Sequence, residues 1–458
     1  MTAPVKIGLL GLGTVGQGLV RLLKTNRDEI TRRLGRSLII THAYTRDLTR
    51  KRDCDLNGVT VVNDPRAISR DAPVDIVVEL LGGLLPAREL ILEAIHRGKP
   101  VVTANKALLA EGGNELFAAA YSKGVPIAFE ASVAGGIPII KVLREGLAGN
   151  RVQGLAGIIN GTSNFILTQM QEHGLEFNAA LAEAQRLGYA EADPSFDVQG
   201  IDAAHKLTIL AAIAFGMPLS FKNVATEGIT AVTAQDLQLA RELGYRIKPL
   251  GIAKRVQGGA APSASAGDLK SFSMTPAAGV ELRVHPTLVP QDHLLAKVDG
   301  VLNFILVNGN AVGATGYYGR GAGGDATASA VLADLLEIAR LHDGGLRYFA
   351  PALGFDPAAV QELPAVPLRD VEGAHYLRLR VADTPGVLKA ITSIVAELDI
   401  SIEAILQKEP KGRDDATLAI ITSVVPEHRF EAALEKMLAL PFVRPGSTHL
   451  RVEHFNGR

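Results

Sequence analysis

The chain has 458 residues, of which 47% are hydrophobic and 21% are charged, and its formal net charge is −1. A chain of this length exceeds one ordinary hydrophobic core, so we expect several domains. The balance of charge gives no electrostatic reason to expect nucleic acid or an anionic membrane as a partner.

The single cysteine, Cys54, excludes an internal disulfide and fits a reducing compartment. The N-terminal residues run directly into a predicted strand and show no signal-peptide pattern. The longest apolar run, residues 207–219, is too short to span a bilayer. We therefore expect a soluble, cytoplasmic protein.

Residues 5–130 alternate short β-rich runs with helical stretches, which predicts a doubly wound parallel α/β sheet. Most of the strands are apolar on both faces, as in a sheet that helices cover on both sides. The predicted strands are 5–10, 38–44, 59–62, 75–80, 101–104 and 127–130, and the predicted helices are 15–24, 86–97 and 107–122.

A glycine-rich turn joins the first strand to the first helix, and it consists of Gly11, Leu12, Gly13, Thr14, Val15 and Gly16. Glycines at these positions allow a tight turn, a close approach of pyrophosphate to the backbone, and close packing of helix on strand. The helix N-terminus offers free N–H groups to phosphates. The turn therefore predicts a dinucleotide-binding Rossmann domain.

Basic residues follow the second strand, beginning with Arg46 and continuing with Arg50, Lys51 and Arg52. A basic residue at this place suits the 2′-phosphate of NADP, whereas NAD enzymes usually carry a carboxylate there. The alternative is a solvated basic loop, and the carboxylate of Asp47 next to Arg46 is compatible with this alternative. We expect NADPH as the cofactor, with NADH as the other candidate.

A mixed α+β domain is predicted from about residue 138 to residue 312. Its strand-like runs and long helices lie at 152–159, 250–256, 302–307, 177–187 and 200–215. A surface loop is predicted at 258–267 because large side chains are scarce there. A further helix is predicted at 326–342, and the proline-rich stretch 350–370 is typical of a linker.

Residues 374–454 follow the order β-α-β-β-α-β, which predicts a ferredoxin-like fold. Leu377, Leu379 and Val381 alternate with polar residues and predict a strand with one buried face. A helix begins after Pro385. The remaining elements are predicted at 402–406, 417–425, 427–438 and 449–455.

Asp202 and Lys206 are four residues apart in a predicted helix and therefore lie on one face of it. The rest of this helix is strongly apolar, so the pair is expected to be partly buried. A lysine held by a carboxylate can give a proton to a carbonyl oxygen during hydride addition. The alternative is an ordinary surface ion pair.

Taken together, these residues resemble homoserine dehydrogenase over the whole chain. The runs that carry the resemblance are 11–16, 101–106, 130–138, 159–164, 188–206 and 319–327. One departure is Ala192, where the family usually has proline. The resemblance implies a Rossmann domain at 1–137 completed by a helix at 321–343, a catalytic and dimerisation domain at 138–320, a linker at 344–372, and a regulatory domain at 373–458.

The activity implied is the NAD(P)H-dependent, reversible reduction of L-aspartate 4-semialdehyde to L-homoserine, in the pathway to threonine, methionine and isoleucine. The resemblance makes Lys206 the proton donor, with Asp202 orienting it. It assigns to Glu191 the binding of the substrate's α-ammonium group. Other substrate-pocket residues implied are Asp197, Asn160, Gly161 and Thr162, and residues at the cofactor cleft are Thr103, Lys106 and Gly321. Lys106 is also implied as a catalytic residue that reaches the nicotinamide end and the substrate. For Lys106, a surface lysine at a helix start remains the alternative.

The resemblance also implies a monovalent cation, sodium, held largely by backbone oxygens at Glu130, Val133, Gly135 and Ile137. Hard cations prefer oxygen ligands. The alternative is a strand-to-helix turn that binds nothing.

The C-terminal residues resemble an ACT domain, a small-molecule sensor that usually pairs with copies of itself. Its ligand-binding turn would comprise Asp383, Gly386, Val387 and Leu388. Threonine is the implied effector, and the implied assembly is a homodimer or homotetramer. The alternative is a domain that only dimerises the enzyme.

Three other functions fit the sequence less well. A semialdehyde dehydrogenase that oxidises aldehydes needs a thiol nucleophile, and Cys54 lies in a charged loop away from the expected cleft. Another NADP-linked amino-acid dehydrogenase is disfavoured by residues 188–206. A regulatory protein without catalysis is disfavoured by the set Lys206, Asp202, Glu191 and Lys106. His173, His205, His285 and His293 lack metal-ligand spacing and are expected to be structural.

Overall fold

The computed structural model of the chain describes residues 3–256, 279–341, 349–408 and 415–455. The chain divides into two compact units. Unit 1 comprises Met1–Leu155, Ala204–Val224 and Asn303–Glu362, and unit 2 comprises Ala156–Ala203, Ala225–Leu302 and Leu363–Arg458. The loop predicted at 258–267 lies outside the described residues. Within the described part of the chain, every helix is too short or too polar to cross a bilayer.

The helices are α1 (Thr14–Thr25), α2 (Arg27–Leu34), α3 (Ala87–His96), α4 (Lys106–Lys123), α5 (Ile139–Lys141), α6 (Gly161–His173), α7 (Phe177–Arg186), α8 (Ser195–Val198), α9 (Ile201–Phe215), α10 (Ala234–Glu242), α11 (Gly324–Leu341), α12 (Val387–Glu397) and α13 (Glu427–Leu438). The strands are β1 (Val5–Leu10), β2 (Leu38–Tyr44), β3 (Thr60–Val62), β4 (Ile76–Glu79), β5 (Val101–Thr103), β6 (Ile127–Ala128), β7 (Val152–Ile158), β8 (Ala225–Thr226), β9 (Tyr245–Val256), β10 (Gly279–Pro290), β11 (Leu302–Gly309), β12 (Gly313–Arg320), β13 (Glu372–Ala382), β14 (Ile402–Lys408), β15 (Asp415–Thr422), β16 (Val425–Pro426) and β17 (Val443–Val452).

Unit 1 is built on a parallel sheet with the strand order β3-β2-β1-β4-β5-β6. This is the order of a Rossmann fold, in which the strand order reverses at β1 and a crevice lies there beyond the carboxyl ends of the strands. Helix α11 packs on α1, and Leu19 shares one hydrophobic core with Val331 and Leu335. The predicted doubly wound parallel sheet is confirmed.

Unit 2 contains the neighbouring strands β9-β10-β17-β13-β15-β14. The C-terminal β17-β13-β15-β14 part is antiparallel, which confirms the ferredoxin-like prediction. The two faces of β13 bury alternate residues. Tyr376 packs with Phe165 and Leu288, whereas Leu377 packs with Ile391 of α12 and with other side chains from α13.

Several element predictions need correction. The last strand was predicted at 449–455 but runs over Val443–Val452, and it includes Pro445 and Gly446, which are turn signals in a sequence. A register shift between Arg378 and Arg380 in the facing strand accommodates this stretch. The elements that were not predicted are helices α2, α5, α6, α8 and α10 and strands β8, β10 and β12.

Candidate active site

The glycine turn of unit 1 combines two positions that require glycine with one that faces open space. Gly11 has φ of 121°, and a Cβ there would lie 2.8 Å from the Leu80 carbonyl oxygen. A Cβ on Gly16 would lie 2.1 Å from the Gly11 oxygen. A Cβ on Gly13 would meet nothing within 4 Å. Gly13 is the N-cap of α1 and is exposed, so the turn can receive an anion at the helix N-terminus.

The basic loop after β2 is tied to this turn by Arg52. Its guanidinium donates to the carbonyl oxygens of Leu12 and Asp47 at 3.0 and 3.1 Å and to Thr45 Oγ1 at 2.5 Å. The Asp47 carboxylate accepts from Thr49 and from the Arg50 amide, and these bonds lower the pKa of Asp47. Asp47 is therefore engaged in its own turn, and Arg46 is exposed at the carboxyl end of β2.

The carboxyl ends of β4 and β5 meet in a buried polar cluster. The Glu79 carboxylate, fully buried, accepts from Thr103 Oγ1 at 2.6 Å and from the Leu81 amide at 2.7 Å. Burial raises the pKa of Glu79. Asn105 caps α4 by accepting from the Leu108 amide, so Lys106 occupies the first turn of that helix. Glu79 was not predicted, although a carboxylate at the carboxyl end of an apolar strand is a signal that the sequence offers.

The turn that follows β6 holds the predicted cation residues. The Glu130 carboxylate accepts from the Ile140 and Lys141 amides at 2.8 and 3.0 Å, and burial, the largest cause, raises its pKa to about 7. The Ile137 oxygen accepts from the Ile139 amide. Among the described residues, no amide donates to the carbonyl oxygens of Val133 and Gly135.

Gly321 lies in the same unit, beside this turn. A Cβ on Gly321 would lie 1.6 Å from Asn303 Oδ1, so a side chain is excluded there. A Cβ on Gly135 would lie 3.2 Å from the Gly321 oxygen. A Cβ on Gly324 would lie 3.0 Å from the Thr14 side chain. The loop before α11 therefore approaches both the predicted cation turn and the glycine turn.

In unit 2, one amide joins two of the predicted carboxylates. Asn160 Nδ2 donates to Asp197 Oδ1 at 2.7 Å and to Asp202 Oδ2 at 2.8 Å. Asn160 Oδ1 accepts from the Ser163 amide and so caps α6. Asn160 and Asp202 are each only 4% exposed. The sequence predicted that Asn160 lies in the substrate turn. It did not predict the bridge between Asp197 and Asp202.

Asp202 and Lys206 both lie on α9, one helical turn apart, and both are buried. The predicted burial of this pair is therefore confirmed. A buried lysine one turn from a hydrogen-bonded carboxylate has the chemistry to protonate a carbonyl oxygen.

The turn at the start of α6 is fixed on two sides. A Cβ on Gly161 would lie 2.7 Å from the Val301 oxygen, and Thr162 Oγ1 donates to the Tyr189 oxygen at 2.7 Å. Glu191 follows in the same loop and is exposed, and its carbonyl oxygen accepts from Gln185. The carboxylate of Glu191 is thus presented on a loop that Thr162 anchors.

Family models match most of the chain. The homoserine dehydrogenase model matches residues 138–336, the model of the homoserine dehydrogenase NAD binding domain matches residues 11–130, and the ACT domain model matches residues 375–442.

Full-length relatives and solved structures match the same family as these models. The homoserine dehydrogenase of Pseudomonas aeruginosa is 48% identical over 454 residues, which cover 99% of this chain and 100% of that protein. The crystal structure of a homoserine dehydrogenase from Thiobacillus denitrificans matches with a TM-score of 0.89 at 50% identity, covering 99% of both chains. A hyperthermophilic archaeal homoserine dehydrogenase in complex with NADPH matches with a TM-score of 0.59 at 28% identity, covering 73% of this chain and 98% of that one. The chain therefore belongs to the homoserine dehydrogenase family, NAD(P)-dependent oxidoreductases that act on a CH–OH group.

Proposed function

We propose that Lys206 protonates the aldehyde oxygen of L-aspartate 4-semialdehyde as that aldehyde is reduced to L-homoserine. When bound, the nicotinamide cofactor would supply the hydride for the carbonyl carbon. The proton from Lys206 then completes the alcohol, and solvent returns a proton to the lysine. Asp202 orients the Lys206 ammonium group from one turn earlier on α9.

The observation that carries this proposal is the Asn160 bridge. Its amide donates to both Asp197 and Asp202, so it fixes the Asp202 carboxylate in a buried place. A carboxylate that is fixed in this way is suited to the positioning role that we assign to Asp202.

The substrate's other groups are assigned to the loop and turn beside Asn160. We propose that Glu191 binds the α-ammonium group, since an ionised acceptor makes a strong hydrogen bond with such a donor. Asp197, Gly161 and Thr162 shape the pocket. The bond from Thr162 to the Tyr189 oxygen supports this assignment because it holds the Glu191 loop against the turn.

NADPH is the proposed cofactor, with NADH as a poorer one. Arg46 is exposed at the carboxyl end of β2, and the nearby Asp47 carboxylate is already occupied by Thr49 and Arg50. A cation without a competing carboxylate favours a 2′-phosphate. The glycine turn would hold the pyrophosphate, and Thr103, Lys106 and Gly321 would line the nicotinamide end. The archaeal relative in complex with NADPH supports the same assignment.

A sodium ion is proposed at the turn after β6. The carbonyl oxygens of Val133 and Gly135 lack amide donors among the described residues, and such oxygens suit a hard cation. We assign the backbone oxygens of Glu130 and Ile137 to the same site. The Glu130 side chain fixes the turn by accepting two amides at the start of α5.

The C-terminal domain is proposed to sense threonine. A cavity of about 200 Å³ lies at the turn between β13 and α12, and Asp383, Gly386, Val387 and Leu388 line it. Gly386 has φ of 97°, so its lack of a side chain lets a small ligand approach the backbone. We further propose a cytoplasmic homodimer or homotetramer, with the domain boundaries that the resemblance implies.

The first experiment follows NADPH absorbance with L-aspartate 4-semialdehyde, with and without threonine. We expect oxidation that threonine suppresses, and a fall in kcat of about 10²- to 10⁴-fold in Lys206→Ala, the usual contribution of a general acid. Lys222→Ala, an exposed lysine beyond the end of the same helix, is the matched control. A near wild-type kcat in Lys206→Ala would overturn the assignment.

A further inference from the structure

Three side chains with metal-binding chemistry meet in unit 2, away from the residues assigned to catalysis. They are His375 on β13, His449 on β17 and Glu427, the first residue of α13. His375 pairs across the strands with Arg451, and His449 is two residues before Arg451, so both histidines lie on one face of the sheet. Glu427 approaches that face from the helix.

The ligand atoms are spaced as a small ion requires. His375 Nδ1 lies 3.0 Å from His449 Nε2 and 3.9 Å from Glu427 Oε2, and all three ligand atoms lie within 4.8 Å of one another. In a tetrahedral zinc site with bonds of about 2.0–2.1 Å, neighbouring ligand atoms are about 3.3–3.4 Å apart. The two measured distances bracket that separation, so small side-chain movements would complete three corners of the site.

Neighbouring groups hold the ligands in place. Arg451 donates to both Glu427 oxygens at 2.6 and 2.9 Å, which leaves further lone pairs on the carboxylate. The Phe430 ring stacks on the His375 imidazole with centroids 4.2 Å apart, and it lies tilted by 31° against the His449 imidazole with centroids 4.5 Å apart. Outer contacts of this kind orient metal ligands and contribute to affinity.

The local charge also permits a cation. Arg451 is paired with Glu227 as well as with Glu427, so the three groups together carry one negative charge. His375 and Glu427 are almost fully buried, and burial disfavours a charged imidazole. A neutral imidazole offers a lone pair to a metal.

We propose that His375, His449 and Glu427 bind one divalent transition-metal ion of the zinc class within the C-terminal domain. Two imidazole nitrogens and one carboxylate oxygen form a donor set that binds zinc-class ions in preference to magnesium or calcium. Because both His375 Nδ1 and His449 Nε2 must present a lone pair to the ion, the hydrogen that the two atoms share without metal would move to the other nitrogen of the ring that carries it. A water molecule would complete the tetrahedron, and His449, which is half-buried, leaves a side open.

The test uses the full-length enzyme without a histidine tag and a chromophoric chelator that competes for Zn²⁺. We expect one tightly bound Zn²⁺ per chain in the wild type. His449→Gln should weaken binding by more than about 100-fold, because outer-sphere partners alone contribute about 10- to 100-fold. His428→Gln is the matched control, since His428 lies beside Glu427 on α13 but is exposed. It should bind Zn²⁺ as the wild type does.

A second measurement keeps the proposal testable if a variant folds poorly. Co²⁺ added to the wild-type enzyme should give the strong visible absorption of a tetrahedral site, and Zn²⁺ should abolish it and raise Tm. His449→Gln, with folding checked by its NADPH oxidation rate, should show neither effect. Equal Zn²⁺ binding by the wild type and His449→Gln, or a weak octahedral Co²⁺ spectrum in the wild type, would mean that the cluster is only a hydrogen-bonded pair of histidines.

Discussion

Asn160 Nδ2 donates a 2.8 Å hydrogen bond to Asp202 Oδ2, and both residues are buried. The amide therefore supports the proposed proton donor, Lys206, only indirectly, through the carboxylate one turn before it. Asn160 is a positioning residue in this arrangement. Its contribution should appear in kcat and not in the binding of the cofactor.

We expect Asn160→Ala to lower kcat on the order of 10²-fold, the scale of a small misplacement of a reacting group. The KM for NADPH should stay near the wild-type value. The variant also loses the N-cap of α6, which costs about 1 kcal/mol of stability. Thr233→Ala removes the N-cap of α10 in the same unit and is the control for that loss. Equal kcat in the two variants would contradict the positioning role.

The fold was most predictable where the sequence has a distinct apolar pattern. Strands β1 and β2 match their predicted bounds because each is a short, mostly apolar run in a strand–helix alternation. Helix α2 was missed because Ile30 is its only buried residue, so it lacks an apolar stripe. Strand β12 was missed because Gly313, Gly316 and Gly319 interrupt the β-forming pattern.

The candidate site was less predictable because its contacts join residues distant in sequence. The spacing of Asp202 and Lys206 could be derived from helical geometry alone. The bridge from Asn160 to Asp202 spans 42 residues, and it is visible only in the folded structure. The same holds for His375 and His449, which are 74 residues apart and were not singled out in the sequence.

The glycine turn allows one matched pair of substitutions. Gly16→Ala should lower Tm because its Cβ would lie 2.1 Å from the Gly11 oxygen. Gly13→Ala should leave Tm unchanged, since its Cβ meets nothing within 4 Å. It should raise the KM for NADPH, because the added Cβ would stand where the pyrophosphate approaches the backbone. Thermal unfolding without cofactor and steady-state kinetics separate the two effects. An unchanged KM in Gly13→Ala would argue against the proposed phosphate site.

Arg46→Ala tests cofactor choice. Loss of a hydrogen bond to a charged group costs about 1.5–3 kcal/mol, so kcat/KM for NADPH should fall about 10- to 100-fold. The value for NADH should change little. Arg66→Ala removes an exposed arginine that pairs with Glu89 and should leave the NADPH-to-NADH ratio unchanged. If Arg46→Ala does not change the ratio of kcat/KM for NADPH to kcat/KM for NADH, the basic loop is a solvated surface and does not bind the 2′-phosphate.

Lys248 gives a pH dependence of stability. Burial lowers the pKa of Lys248 to about 8, and its ammonium group donates to the Val298 oxygen and to Asp299. Between pH 8 and the ordinary lysine pKa of 10.5, the unfolded chain binds more protons than the folded one, so the contribution of Lys248 to stability rises with pH. The change over this interval is about 3 kcal/mol.

The comparison of the wild type with Lys248→Met by denaturant unfolding isolates this contribution. The difference in unfolding free energy between the two should shift in favour of the wild type from pH 8 to pH 10. Lys297→Met, an exposed lysine in the same unit, should follow the wild-type curve. A constant difference between the wild type and Lys248→Met would show that Lys248 titrates alike in the folded and unfolded chains.

Asp383→Ala tests the proposed sensor. Asp383 is exposed and lines the cavity beside Gly386, where its carboxylate can accept from a ligand ammonium group. Its loss should raise the threonine concentration for half-inhibition about tenfold or more, and leave kcat without threonine at the wild-type value. Glu397→Ala, at the far end of α12, is the control and should keep wild-type sensitivity. If Asp383→Ala and Glu397→Ala respond to threonine alike, the cavity is not the effector site, and the C-terminal domain would act in assembly alone.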